Sequence, residues 1–364
     1  MRVLFVNSVR SRGGGVSSGH ALARGLADAG HEVTVACNAA GELLGRLRTE
    51  SGISVVPIRF GADYDPFAAH ALARTARRAR AEVALADRRK DVKLLIAARL
   101  FGPRVPIVHR HGAPSVLRDS IAYRMLWRRI QAMIVNSAAM RSALLRATPW
   151  LESIPIEVIP NGVDASTFRP LPERRDKARA ALRIPAGAFV IAYHGTLQRR
   201  KRVDLLIRAV ATMPPQLCSH LLLIGDGPDR RSLERLACSH DVNVTFTGAR
   251  QDVADVLSAA DAAAHLSSAE GFSNTVLEDM ACGLPVVATD EHSHAEQIVD
   301  GVTGHLVAPE PFAVADALSA LASDPGGRAL MGGAARETAA RKYTIDGMVR
   351  RYWSVLSRAA GPLH

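Results

Sequence analysis

Two carboxylates, Glu270 and Glu278, stand eight residues apart in the stretch E-G-F-S-N-T-V-L-E-D-M-A-C-G-L-P-V-V-A-T, which runs from Glu270 to Thr289. Ser273 and Asn274 are N-cap residue types, Thr275 to Cys282 carries helix formers without a breaker, and Gly283 and Pro285 stop the helix. A helix opening at such a loop aims N–H groups and its positive dipole end at whatever lies in front of it, an arrangement suited to phosphate. Carboxylates flanking that phosphate accept hydrogen bonds from hydroxyls on either side. A second feature faces the same chemistry. Arg199, Arg200, Lys201 and Arg202 are consecutive cations just before a helix read as Val203 to Met213. Cations at a helix N-terminus oppose its dipole unless an anion sits between them. Fixed cations also stabilise the charge growing on a departing diphosphate without any metal.

Other residues are candidates by position. A short strand over Val105 to Val108 leads into His109-Arg110-His111-Gly112, and the carboxyl end of a parallel strand is where ligands bind. Gly14 and Gly15, in the turn Arg12-Gly13-Gly14-Gly15 after the first strand, let a backbone approach a ligand, although Ser18 breaks a G-x-G-x-x-G pattern. Asp63-Tyr64-Asp65 is a D-x-D, but Pro66 follows it, and capping of the next helix accounts for the carboxylates better than a metal does. No metal is assigned.

The Glu270–Thr289 string, the I-P-N-G-V-D string from Ile159 to Asp164, and Lys201 together resemble the retaining family-4 glycosyltransferases of GT-B architecture. The resemblance covers essentially the whole chain, most strongly Gly195 to Thr289. It implies two Rossmann-like doubly wound α/β domains facing a central cleft, with the C-terminal helix crossing back to the first domain. It implies that Glu270 contacts the transferred sugar and Glu278 the ribose. The amides around Phe272, Ser273 and Asn274 would meet sugar hydroxyls, and those of Thr275 and Val276, with Arg200 and Lys201, the phosphates. Arg250 would lie against the nucleobase, Gly14 and Gly15 would face the cleft, and His111 would approach the donor's sugar and phosphate, with His109 as the alternative. Two departures stand out: Thr196 occupies the place of the family's Arg, and Arg202 that of a Gly, so Arg200 is the candidate for the missing guanidinium. The implied activity is metal- and cofactor-independent transfer of a sugar, with retained configuration, from a nucleotide diphosphate to a hydroxyl acceptor. UDP is favoured over GDP and dTDP. Two rivals fit the same architecture: a nucleotide-sugar 2-epimerase, which the paired histidines would serve, and a non-catalytic nucleotide-sugar-binding subunit.

The elements that must position these residues follow from periodicity. Apolar runs at Arg2–Asn7, His31–Ala36, Ser54–Ile58, Val105–Val108, Met133–Asn136 and Ile156–Ile159 read as strands of a first domain over 1–166. Runs at Phe189–His194, Leu221–Ile224, Val242–Thr247, Asp261–Leu266, Val286–Ala288 and Leu306–Val307 read as those of a second over 167–344, and a last helix over 345–364 is expected to complete the first.

The 364 residues suit two domains, and 48% hydrophobic with 22% charged residues is ordinary for a globular chain. The net charge of +11 sits in one zone: residues 74–129 hold 15 Lys/Arg against 4 Asp/Glu, while the remainder holds 31 of each. No nucleic-acid motif accompanies it, and the zone reads as a contact for anionic membrane, helped by Tyr123, Trp127 and Ile130 among Arg118, Arg124, Arg128 and Arg129. Cys37, Cys218, Cys238 and Cys282 are scattered and read as free thiols. With no signal-like or membrane-spanning run visible, the expected location is cytoplasmic, peripheral at the membrane's inner face.

Overall fold

The computed structural model describes residues 1–10, 14–112, 117 and 119–361. The chain divides into two compact units, 1–162 with 345–364, and 163–344.

The first unit is built on a seven-stranded parallel sheet: β1 (Arg2–Asn7), β2 (Glu32–Asn38), β3 (Ile53–Ile58), β4 (Val83–Ala86), β5 (Ile107–His111), β6 (Ala132–Val135) and β7 (Ile156–Val158), in the order 3-2-1-4-5-6-7. β1, β4 and β6 are short and apolar because helices cover both faces of the sheet. One face packs Leu4, Val6, Leu72, Leu94 and Trp127, the other Phe5, Leu22, Leu26, Tyr352 and Leu356.

The second unit repeats the plan with six parallel strands: β8 (Phe189–His194), β9 (Ser219–Ile224), β10 (Val244–Gly248), β11 (Ala262–His265), β12 (Val286–Thr289) and β13 (Gly304–Val307), ordered 10-9-8-11-12-13. Both sheets reverse direction beside their first strand, between β1 and β4 and between β8 and β11. The loops leaving those strands diverge there and open a crevice at the carboxyl edge.

The last helix, Ile345–Ala360, belongs to the first unit, as expected. It lies on the helix Gly14–Asp28 so closely that a Cβ on Gly25 would come within 2.5 Å of Val349 Cγ2. Trp353 stacks on His31 with ring centres 3.9 Å apart. Tyr352 accepts from Arg110 at 3.2 Å, and Arg110 also pairs with Asp87 in a buried contact.

Three local expectations change. The first helix begins at Gly14, so Gly14 and Gly15 are helical rather than part of a turn; the Arg12-Gly13 half of that turn lies outside the described residues. The fourth strand, Val83–Ala86, and the helix Arg89–Ala98 after it were not anticipated from the sequence. The basic-aromatic helix, Ile121–Trp127, keeps its aromatic side inward: Trp127 is fully buried and Tyr123 stacks on it at 5.0 Å, so that face packs on the core. Arg124 pairs with Asp119 at 2.8 Å, and Arg118 lies outside the described residues. No described helix is long and apolar enough to cross a membrane.

Candidate active site

The crevice beside β8 and β11 collects most of the residues singled out from the sequence. Leaving β8, the chain turns at Gly195, whose carbonyl lies so near Gly225 that a Cβ there would approach it to 2.0 Å. Both glycines have positive φ, 141° and 144°, which keeps the loops after β8 and β9 in contact without strain. The cation run then forms a short turn, Arg199–Lys201, and Arg202 enters the left-handed region at φ 49° just before the helix Val203–Thr212.

The anions those cations require come from the protein itself. Lys201 Nζ donates to Glu270 Oε1 at 2.5 Å and Arg200 Nη1 to the same oxygen at 2.9 Å, while Arg202 pairs with Glu291. Arg200 also donates to the carbonyl of Ala269 at 3.0 Å, and its own carbonyl accepts from the Ser268 amide at 2.8 Å. The loop after β8 is thereby locked to the loop after β11. Lys201 is buried and Arg200 half-exposed. Burial favours the neutral acid at Glu270, but the Lys201 and Arg200 charges outweigh it and hold its carboxyl below the ordinary value.

The helix Asn274–Ala281 opens beside this pair. Ser273 caps it by accepting from the Val276 amide at 3.5 Å and is held in place by Gln297, which accepts from the Ser273 amide at 3.1 Å and donates to its carbonyl at 2.8 Å. The Val276 amide, expected to meet phosphate, thus already points at a side chain of its own loop. Phe272 is buried against Tyr343.

Behind the helix mouth lies a cluster not anticipated from the sequence. His194 ends β8, His265 ends β11, and Asp279 sits on the helix; all three are buried. His265 Nε2 meets Asp279 Oδ2 at 2.6 Å, and His194 Nε2 lies 3.2 Å from Asp279 Oδ1 and donates to the Thr275 carbonyl at 3.2 Å. Its other nitrogen, Nδ1, is 3.6 Å from Glu278 Oε2. Burial alone would discharge His194, yet Asp279 and then Glu278 push its pKa up to about 9. His265, desolvated and beside the charged His194, titrates below its ordinary range in spite of Asp279. An imidazolium therefore bridges the buried Asp279 and Glu278. The three groups each offer a ligand atom within 4.8 Å of the others, and in the structure these atoms face one another. The sequence did carry a signal: a histidine closing each of two apolar runs, the same signal that singles out His109 and His111.

The remaining expected residues lie elsewhere. Arg250 pairs with Asp252 at 2.5 Å on the exposed loop after β10. Gly15 is the second residue of the first unit's opening helix, and a Cβ there would lie 3.5 Å from Arg88 Nη2. His109 and His111 both fall inside β5, where strand alternation turns them to one face and Arg110 to the other. They line a cavity of about 650 Å³ at the carboxyl ends of β4 and β5 in the first unit, together with Asp63, Tyr64 and Lys93. Asp65 caps the helix Pro66–Arg78, accepting from the Phe67 and Ala68 amides, and Asp63 pairs with Lys93 at 2.5 Å.

Two Rossmann-like parallel sheets, each with polar residues gathered at its carboxyl edge, match the GT-B glycosyltransferase architecture. Solved structures agree: Anabaena Alr3699/HepE in complex with UDP and glucose superposes with a TM-score of 0.85 and 25% identity, covering 98% of this chain and 100% of that one. Sucrose-phosphate synthase from Thermosynechococcus elongatus shares the fold at a TM-score of 0.81, with 22% identity over 98% of each chain. Within that class, residues 12–167 match the model described as Glycosyltransferase Family 4 and residues 188–324 the model for glycosyl transferases group 1. The chain belongs to this glycosyltransferase family. It is 34% identical over 224 residues to the D-inositol 3-phosphate glycosyltransferase of Saccharomonospora viridis, covering 57% of this chain and 52% of that protein. The corresponding protein of Kribbella flavida is 36% identical over 201 residues, 50% of this chain and 46% of that one. The chain thus spans about half the length of the curated relatives it matches.

Proposed function

We propose that the protein transfers a sugar from a nucleotide diphosphate, UDP in the first instance, to a hydroxyl of an acceptor, with retained anomeric configuration and without a metal. The observation that carries this reading is the meeting of Lys201, Arg200 and Glu270 beside the capped helix Asn274–Ala281 and Glu278, all within the second unit. Lys201 and Arg200 would take the diphosphate as its charge grows during bond cleavage. Glu270, released from one cation, would accept hydrogen bonds from the sugar, and Glu278, held by His194, from the ribose. The acceptor would be held by the first unit. The crystal complex of the HepE neighbour with UDP and glucose supports UDP as the first donor to test.

Incubation with UDP-, GDP- and dTDP-sugars and an acceptor panel in EDTA tests this. The reading expects nucleoside diphosphate release that depends on acceptor, and a product of retained configuration by NMR. Conversion of the donor without any acceptor would replace it with an epimerase.

Peripheral contact with anionic membrane also belongs to this reading, carried by the cations of 74–129 beside the exposed Ile121 and Met125 rather than by Trp127. Flotation with anionic but not neutral liposomes is expected; equal failure to float with either would dismiss it.

A further inference from the structure

The loop that leaves β12 is tied to three parts of the second unit's site. Glu291 pairs with Arg202, the His292 ring donates to the Ser268 carbonyl, and Gln297 holds Ser273 at the helix mouth. His292 adopts a left-handed φ of 58°, a conformation that a residue with a Cβ keeps only where its surroundings enforce it.

Between those ties lie two polar atoms that nothing in the protein meets. Ser293 and His294 have no solvent exposure. Ser293 stands at the N-cap of the short helix His294–Gln297, yet its hydroxyl caps nothing and has no hydrogen-bond partner. His294 Nδ1 lies 3.0 Å from the Thr289 carbonyl, which can only accept, so the ring proton sits on Nδ1 and Nε2 presents a lone pair. That nitrogen is also without a partner. Burial pushes the pKa of His294 down to about 4, and the charges of both Glu270 and Lys201 reach its ring. The bare nitrogen is therefore unprotonated at neutral pH and belongs to the surroundings of the Lys201–Glu270 pair. Two buried polar atoms left unmet are costly, and the cost is recovered when a ligand meets them.

We infer that Ser293 and His294 read the transferred sugar, receiving one of its hydroxyl groups beside the one that Glu270 accepts, and so decide which sugar the donor carries. The inference deepens the donor reading and rests on it. Glu270 and His294 Nε2 are both acceptors without a proton, so the sugar that fits offers a hydroxyl to each. A deoxy sugar leaves the nitrogen unmet, and a uronate brings anionic oxygens against a carboxylate and a lone pair. Neither Ser293 nor His294 is exposed in the ligand-free protein, so the loop lifts to admit the hydroxyl. The ties that yield are Arg202–Glu291 and His292–Ser268, whose side chains are partly open to solvent.

Calorimetric titration of the full chain tests this, with UDP, UDP-glucose, UDP-galactose, the four monodeoxy analogues of each hexose, and UDP-glucuronate. Wild type is expected to bind one of the two hexose donors about tenfold more tightly, or better, than at least one of its monodeoxy analogues and than UDP-glucuronate. His294→Asn keeps an N–H for the Thr289 carbonyl and removes the acceptor at Nε2, and Ser293→Ala removes the hydroxyl. In His294→Asn the difference between that hexose and its deoxy analogue should shrink to about threefold or less, while UDP itself binds as to wild type. Ser293→Ala should shrink it in the same direction, and it serves as the test if His294→Asn does not melt cooperatively.

Equal affinity of wild type for every analogue would overturn the inference. So would selectivity that persists unchanged in both variants, which would mean that the two atoms hold internal water only. A protein that binds none of UDP, GDP and dTDP loses the donor reading and this inference together, whereas UDP binding with unaltered selectivity removes the inference alone.

Discussion

The carboxyl edges of the two sheets share a topology and differ in how their charges are settled. At β8/β11 each of three cations has a carboxylate of the protein against it, Glu270 for Arg200 and Lys201 and Glu291 for Arg202. Behind them, His194 and His265 share Asp279. At the ends of β4 and β5 the cavity gathers Arg88, Arg89, Lys90 and Lys93 with Asp63 and Asp87, Lys93 paired with Asp63 and Asp87 with Arg110, around a buried His109 whose ring nitrogens have no hydrogen-bond partner. The first arrangement is charge-paired without a ligand, so a diphosphate would bind there by exchanging one counter-ion for another. The second leaves one buried imidazole without a hydrogen bond. One fold thus yields a charge-paired cluster at one sheet edge and an unmet buried polar group at the other.

The most forceful way to break this contrast is to remove the exchanging pair. Lys201→Ala and Glu270→Ala are each expected to cut turnover by on the order of 10²-fold or more. Glu270→Gln separates the two roles: it frees Lys201 and Arg200 from their counter-ion, so UDP should bind as well as to wild type or better while turnover collapses. Steady-state rates and UDP titration of the same variant check both halves.

Next in size are losses from the interior. Trp127→Ala should cost about 3–5 kcal/mol in denaturant unfolding, because a large buried side chain beneath His109 leaves a cavity. His194→Gln should cost on the order of 3 kcal/mol by leaving Asp279 buried without its cation, and should raise the donor KM more than it lowers kcat.

The sign of the pH effect follows from His194. Its folded pKa, about 9, lies above the unfolded value of about 6.5, so its contribution to stability is complete below about pH 6.5 and disappears as pH climbs through 9. Melting temperature should therefore fall over that interval in wild type, and fall less in His194→Gln. The smallest effect expected is Asp65→Ala, about 1 kcal/mol for a lost helix cap.

Much of this was legible in the sequence because the signals were local. The Glu270–Thr289 string declared a capped helix between two strands, and the apolar runs located twelve of the thirteen strands. β4 escaped notice because Val83–Ala86 is short and half alanine, and the charged D-R-R-K-D that follows looks like a solvated loop although it opens a helix. Tyr123 and Trp127 misled for the opposite reason: an amphipathic helix shows which side is apolar without showing whether protein or lipid covers it. Partnerships were invisible throughout. That Glu270 would neutralise Lys201, 69 residues earlier, or that His194, His265 and Asp279 would converge, is decided by parallel strands aligning their carboxyl ends.

The central claim is that the β8/β11 edge of the second unit receives a nucleotide diphosphate on Lys201. Calorimetric titration of UDP into wild type and Lys201→Ala, both in EDTA, measures that directly. The account predicts one saturable site in wild type and at least tenfold weaker binding in the variant, whose melting curve remains cooperative. Equal affinity in the two proteins, or wild-type binding that disappears in EDTA, would contradict it.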